Sequence, residues 1–133
     1  FILTARETCA TYVPEKPADA LGQSNFGGTV LIDAEQGRGA LRALDIHTGN
    51  LVWEFSYPSP TFGGVLSTAS GLVFAGDHEG NFMAFSADDG NNLWHYQTGS
   101  RIWGAAAMTF MLENRQLVLI PSGTTLTAFA LPE

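Results

Sequence analysis

Gly39-Ala40-Leu41-Arg42-Ala43-Leu44-Asp45-Ile46-His47-Thr48-Gly49-Asn50-Leu51-Val52-Trp53 returns 41 positions later as Gly80-Asn81-Phe82-Met83-Ala84-Phe85-Ser86-Ala87-Asp88-Asp89-Gly90-Asn91-Asn92-Leu93-Trp94. Glycine, alanine, glycine and tryptophan coincide at four framework positions. A period in the forties, built from short strands, is what a four-stranded β-propeller blade requires. Each framework residue has a mechanical reason. Ala43 and Ala84 are small where a neighbouring sheet must come close. Asp45 can accept backbone N–H groups of the turn toward Thr48, and Gly49 supplies the positive φ of that turn. Ser86 takes the place of the aspartate in the second copy, which predicts a weaker turn there. Trp53 and Trp94 follow the turn, where an indole can pack across onto the next blade. Their spacing equals the repeat, so they are read as blade connectors rather than as an aromatic cage for a ligand.

Working outward, the repeats set the strands. Phe1 to Glu7, Leu41 to Asp45 and Leu51 to Ser56 are the second, third and fourth strands of a blade. Gly64 to Ser67, Leu72 to Gly76, Asn81 to Phe85 and Leu93 to Gln97 make one complete blade. Ala105 to Leu112, Gln116 to Pro121 and Thr125 to Ala130 are three strands of another, in which the copy beginning Gly123-Thr124-Thr125 never reaches a Gly-x-x-x-Trp. The expectation is all-β: ten strands, about two and a half antiparallel four-stranded blades of the tryptophan-docking type. It divides the chain into an incomplete blade over 1–57 with a long insertion at 9–39, a complete blade over 61–98 and an incomplete final blade over 102–133. The insertion, with Pro14, Pro17 and Gly27-Gly28, shows little strand patterning beyond Thr29 to Ile32 and is read as a long excursion. The opening at Phe1, in mid-blade, is read as a start within a longer protein.

Composition limits the partners. With 45% hydrophobic and 14% charged residues, 133 residues suffice for one globular core. The formal charge of −7, with only six scattered Lys and Arg, excludes nucleic acid and anionic lipid, which require clustered cations. The longest apolar stretch, Gly104 to Leu112, falls short of the roughly 20 residues of a membrane-crossing helix. Cys9 is the single cysteine and cannot form a bridge within the chain. Asp77-His78-Glu79 and Asp88-Asp89 lie in glycine-ended turns, where acidic residues cap hairpins, and His47, His78 and His95 form no ligand pair, so no metal role is assigned. There is no Gly-x-Ser-x-Gly elbow and no phosphate loop.

The run Thr61-Phe62-Gly63-Gly64-Val65-Leu66-Ser67-Thr68-Ala69-Ser70-Gly71-Leu72-Val73-Phe74-Ala75-Gly76-Asp77-His78-Glu79-Gly80, followed by Gly90-Asn91-Asn92-Leu93-Trp94-His95-Tyr96-Gln97-Thr98-Gly99, resembles the C-terminal end of pyrroloquinoline-quinone (PQQ)-dependent alcohol dehydrogenases. The likeness extends to Phe1 to Tyr12 with Cys9, to Pro121-Ser122-Gly123 and to Phe129-Ala130-Leu131. It implies an eight-bladed propeller of the bacterial periplasm that oxidises a small alcohol, polyol or sugar to a carbonyl with PQQ and Ca2+. It also implies the partners: N-terminal blades of the same polypeptide, one of whose strands completes the last blade, and a cytochrome or quinone electron acceptor.

Carried over residue by residue, the resemblance places Phe62, Gly63 and Gly64 on an innermost strand against the quinone. Phenylalanine stands here where the family commonly has tryptophan; it keeps the apolar face and loses the indole N–H. The backbone N–H groups of Gly63 and Gly64 are expected to be free for a ligand. Arg101 is read as a rim charge. The family's catalytic aspartate, calcium ligands, vicinal cysteines and tryptophan floor belong to earlier blades, so this chain alone is expected to be inactive. A second expectation, from another class, is a non-catalytic propeller scaffold of the outer-membrane assembly type.

Overall fold

The computed structural model describes residues 1–15 and 27–131, and within them the chain is built entirely of strands and turns. The ten strands are β1 (Ile2–Pro14), β2 (Gly28–Leu44), β3 (Leu51–Tyr57), β4 (Val65–Ser67), β5 (Leu72–Gly76), β6 (Asn81–Ser86), β7 (Asn92–Gln97), β8 (Met108–Leu112), β9 (Arg115–Ser122) and β10 (Thr125–Ala130). They form three antiparallel sheets with strand orders β1-β2-β3, β4-β5-β6-β7 and β10-β9-β8. The framework alanines face the framework tryptophans across the ladder, Ala43 opposite Trp53 and Ala84 opposite Trp94, and in both sheets the register shifts immediately after the alanine. Opposite residues in an antiparallel pair share a face, so the methyl side chain leaves room there for the indole and for the next sheet.

The period of two along β6 explains the stacking. Met83 and Phe85 join Leu41, Ala43, Trp53 and Tyr57 of the first sheet in one core, with Val73 and Ala75 beside them. Phe82, on the opposite face, joins Ile102, Ala107, Val118 and Ile120 in a second core. The middle sheet is therefore covered on both sides. Phe82 and Phe85 are fully buried, each stabilising the fold by about 1.5 to 3 kcal/mol relative to exposure.

Two expectations change. The segment read as an excursion is, in its described part, the continuation of one hairpin. Cys9 to Pro14 pairs with Asp33 to Gly28, beyond a bulge between Glu7 and Cys9. β1 therefore runs to Pro14 rather than Glu7, and β2 starts at Gly28 rather than Leu41. The ribbon left no alternation in the sequence because, among its described side chains, neither face is covered: Val30, Leu31 and Ile32 are consecutive and all exposed. Residues 16–26 of the expected insertion lie outside the described residues.

The second change concerns the tryptophans. Trp53 is buried, its Nε1–H donates to the Ala87 carbonyl at 2.9 Å, and a Cβ on Gly90 would come within 2.5 Å of its ring. The indole thus docks onto the β6–β7 turn, as expected. Trp94 is 39% exposed and makes ring contacts with Phe129 at 5.2 Å, Phe82 at 6.2 Å and Tyr96 at 6.3 Å. No described turn follows β10 to cap it.

Candidate functional site

Phe62, Gly63 and Gly64 lie on the extended segment that leads into β4, at the edge of the middle sheet. Three neighbours fix this segment. Thr61 is buried beside it, the Thr4 hydroxyl donates to the Gly63 carbonyl at 2.7 Å, and Gly64 N–H donates to the Ala105 carbonyl at 2.8 Å. The segment is stitched to the first sheet on one side and to the approach of β8 on the other.

The glycines are required by these close approaches. A Cβ on Gly63 would lie 2.7 Å from the Gly76 carbonyl oxygen, and one on Gly64 would lie 2.5 Å from Ala106 Cβ. Both distances are far below van der Waals contact with groups that cannot give way. The expectation that both backbone N–H groups stand free is corrected: Gly64 N–H is taken by Ala105, and Gly63 N–H points at the Thr61 hydroxyl at 3.5 Å. Packing of the inner segment between two sheets consumes them, which leaves the side chain of Phe62 as the exposed element of the three.

That side chain is 41% exposed and has two close neighbours. The Arg6 guanidinium carbon sits 4.0 Å from the ring centroid, and Trp103 packs at 4.7 Å. His78 meets the same indole edge-on at 4.9 Å, and Arg101 lies over it at 5.7 Å. The result is a surface cluster of two aromatic rings, an imidazole and two guanidiniums drawn from all three sheets or their connections. Cation and ring attract one another through the ring quadrupole. The exposed rings favour a flat apolar ligand, and the arginines favour an anionic one.

The other residues considered from sequence are structural. Asp77 is buried, and its carboxylate accepts the Asn81 N–H and side-chain amide, each at 2.8 Å, closing the β5–β6 turn. Asp45 Oδ1 accepts the backbone N–H groups of His47 and Thr48 and the Thr48 hydroxyl. Chiefly through the Thr48 backbone bond, its pKa lies below the ordinary carboxylate value. In the second copy the turn is rescued three residues on. Asp89, its pKa lowered first by Ser86 and then by Asn91, supplies the carboxylate that Ser86 lacks. Among the described residues no three His, Cys, Asp or Glu side chains converge on a metal position.

Comparison with known proteins gives a consistent picture. A family model described as outer membrane protein assembly factor BamB matches residues 16–131. The chain is similar to the quinoprotein alcohol dehydrogenase PedH of Pseudomonas putida, at 41% identity over 85 residues, 64% of this chain and 14% of that protein. Among solved structures it superimposes on the quinohemoprotein alcohol dehydrogenase ADHIIG of Pseudomonas putida with a TM-score of 0.81 at 28% identity, covering 94% of this chain and 20% of that one. A europium-containing methanol dehydrogenase matches with a TM-score of 0.78 at 27% identity over 90% of this chain and 22% of its own. The chain spans 10 to 14% of the length of the curated relatives it matches. The three stacked sheets are thus consecutive blades of a propeller.

Proposed function

The chain belongs to the quinoprotein alcohol dehydrogenase family of propeller-repeat proteins, and from that premise we propose that it serves an oxidoreductase that converts a primary alcohol, or a related polyol or sugar, to a carbonyl with PQQ. Its share of the work is blade packing and one edge of the quinone pocket, at Phe62, Gly63 and Gly64. The observation that carries this reading is the exposed Phe62 ring held between Arg6 and Trp103 at the mouth of β4. A flat, carboxylate-bearing ring system fits that face, because an aromatic surface offers stacking contact and the adjacent guanidinium offers opposite charge.

When bound, the quinone supplies the two-electron oxidant. Phe62 covers one margin of the ring and excludes water from it. Gly63 and Gly64 keep the inner segment thin, so that Phe62 can sit between two sheets without displacing either. The proton acceptor and the metal ligands are supplied by blades other than these, and the chain alone is inactive. The metal is Ca2+ on the reading made from sequence; a europium-containing methanol dehydrogenase among the structural neighbours makes a lanthanide the alternative to test. A haem-bearing or quinone acceptor takes the electrons, in the periplasm.

The description of the matching family model favours a second reading, a non-catalytic assembly scaffold. A scaffold has no use for an exposed aromatic held against an arginine beside a glycine pair. The test is to express the complete encoded polypeptide that carries this segment, reconstitute it with PQQ plus either Ca2+ or a lanthanide, and follow alcohol-dependent dye reduction. Activity with one metal, together with quinone affinity weakened about tenfold in Phe62→Ala, supports the proposal. A folded protein that neither binds PQQ nor reduces dye overturns it in favour of the scaffold.

A further inference from the structure

Ser59-Pro60-Thr61-Phe62-Gly63-Gly64 returns 41 positions later as Ser100-Arg101-Ile102-Trp103-Gly104-Ala105, the interval that also separates Trp53 from Trp94. Burial follows the same register: Thr61 and Ile102 are both buried, and the aromatic residue after each is exposed. The two segments meet at equivalent positions, through the bond from Gly64 N–H to the Ala105 carbonyl. Trp103 is therefore the counterpart of Phe62 on the next blade, and repeats stacked in register present equivalent side chains along one continuous surface.

The indole is fixed in place and left open. Ile102 N–H donates to the Asp77 carbonyl at 3.1 Å, which ties this inner segment to the β5–β6 turn of the blade before it. The residues next to that bond, Trp103 and His78, meet edge-on at 4.9 Å, and the Arg101 guanidinium lies 5.7 Å from the indole centroid. Phe62 meets the indole at 4.7 Å, with the ring planes tilted by 51°. Trp103 is nevertheless 54% exposed, more than Phe62. The space beside it is open: at Gly104, with φ of +62°, a Cβ would have no neighbour within 4 Å. Two anchored rings, tilted against one another and facing open space, offer a flat apolar group more contact than either offers alone.

We propose that Trp103 is a specificity-determining residue: with Phe62 it forms a two-ring wall that binds the organic group of the alcohol and selects aryl-bearing primary alcohols over short alkyl ones. The inference rests on the quinone reading for the reaction, because Phe62 is there assigned to the margin of the quinone and Trp103 is its aromatic neighbour on the following blade. An aryl group stacks on the indole and loses its apolar surface to it, whereas a two-carbon chain has little surface to lose.

Kinetics of the complete encoded polypeptide, reconstituted with PQQ and either Ca2+ or a lanthanide, test this with benzyl alcohol and ethanol. Trp103→Ala is expected to raise the KM for benzyl alcohol about tenfold and to leave kcat and the KM for ethanol within about twofold, the pattern of lost substrate binding. Trp103→Phe keeps a ring at the position and should retain most of the preference. A residue that only supports the fold would shift both substrates alike. A second readout needs neither turnover nor quinone. In protein labelled with fluorotryptophan, the Trp103 resonance, identified by its loss in Trp103→Phe, should shift saturably with benzyl alcohol and stay in place with ethanol. This readout keeps the test open if Trp103→Ala does not fold. A saturable shift in a protein that reduces no dye with either metal leaves the aryl subsite standing while the quinone reading falls. A resonance that benzyl alcohol does not move, or equal changes for both alcohols in Trp103→Ala, overturns the proposal, and where dye is reduced the quinone reading survives it.

Discussion

Tyr57 is 6% exposed, and its hydroxyl has no hydrogen-bond partner among the described residues. Burial, reinforced by the nearby Asp77 charge, pushes its pKa well above the ordinary phenol value of 10. The sign of the pH dependence follows. Above pH 10 the unfolded chain releases the phenolic proton while the folded chain keeps it, so stability present below pH 10 is lost as the pH rises further. Tyr57→Phe removes an unsatisfied group, and we expect it to stabilise the fold by about 1 kcal/mol and to flatten the loss of melting temperature above pH 10. A lower melting temperature for Tyr57→Phe at pH 7 would contradict this. Asp45 behaves oppositely: its depressed pKa supports the turn above the ordinary carboxylate range and ceases to do so as pH falls below it. The Asp45 turn was legible in the sequence because donor and acceptor lie within three residues. Arg6 over Phe62 was not, because nothing in the local pattern joins positions 56 residues apart that meet only once two sheets are stacked.

At the level of elements, the two tryptophans share a sequence position and differ in surroundings. Trp53 is enclosed and donates a hydrogen bond, so Trp53→Ala should cost about 3 to 5 kcal/mol. Trp94 lies half-open against Phe129, and Trp94→Ala should cost less than half of that, about 1 to 2 kcal/mol. Denaturant midpoints of the two variants check the ordering, which equal losses would refute. Gly90→Ala should imitate Trp53→Ala in part, since its Cβ enters the space of the Trp53 ring at a residue with φ of +72°. The repeat revealed that both indoles connect blades, but not how well each is covered, since cover comes from the following turn. The same limit applied to the hairpin of β1 and β2. Among the described side chains its outer half has no buried face, and without one there is no period to read. The inner segment was legible in its residues and misjudged in its hydrogen bonds, because whether Gly64 N–H is free depends on where Ala105 comes to lie.

For the molecule as a whole, a stack in which each sheet touches only its neighbours has stability that is a sum of units and interfaces. Among the described sheets the middle one has a partner on each face, so in this segment on its own the amides of β6 should exchange most slowly with solvent, and those of the outer half of the β1–β2 hairpin fastest. Hydrogen exchange resolved by residue decides this, and equal protection across the three sheets would show the assembly to be a single cooperative block. The alternation along β6 also makes the two cores separable: truncating Phe85 should loosen the first sheet, and truncating Phe82 the third. Finally, the bond from Trp53 to Ala87 runs forward, from the last strand of one sheet to the turn that opens the last strand of the next. The stack therefore has a direction. A sheet offers a hook at its trailing side and an eye at its leading side, and the two are not interchangeable. Two such sheets can couple head to tail but not face to face, so the order of the first and middle sheets is written into the joint between them.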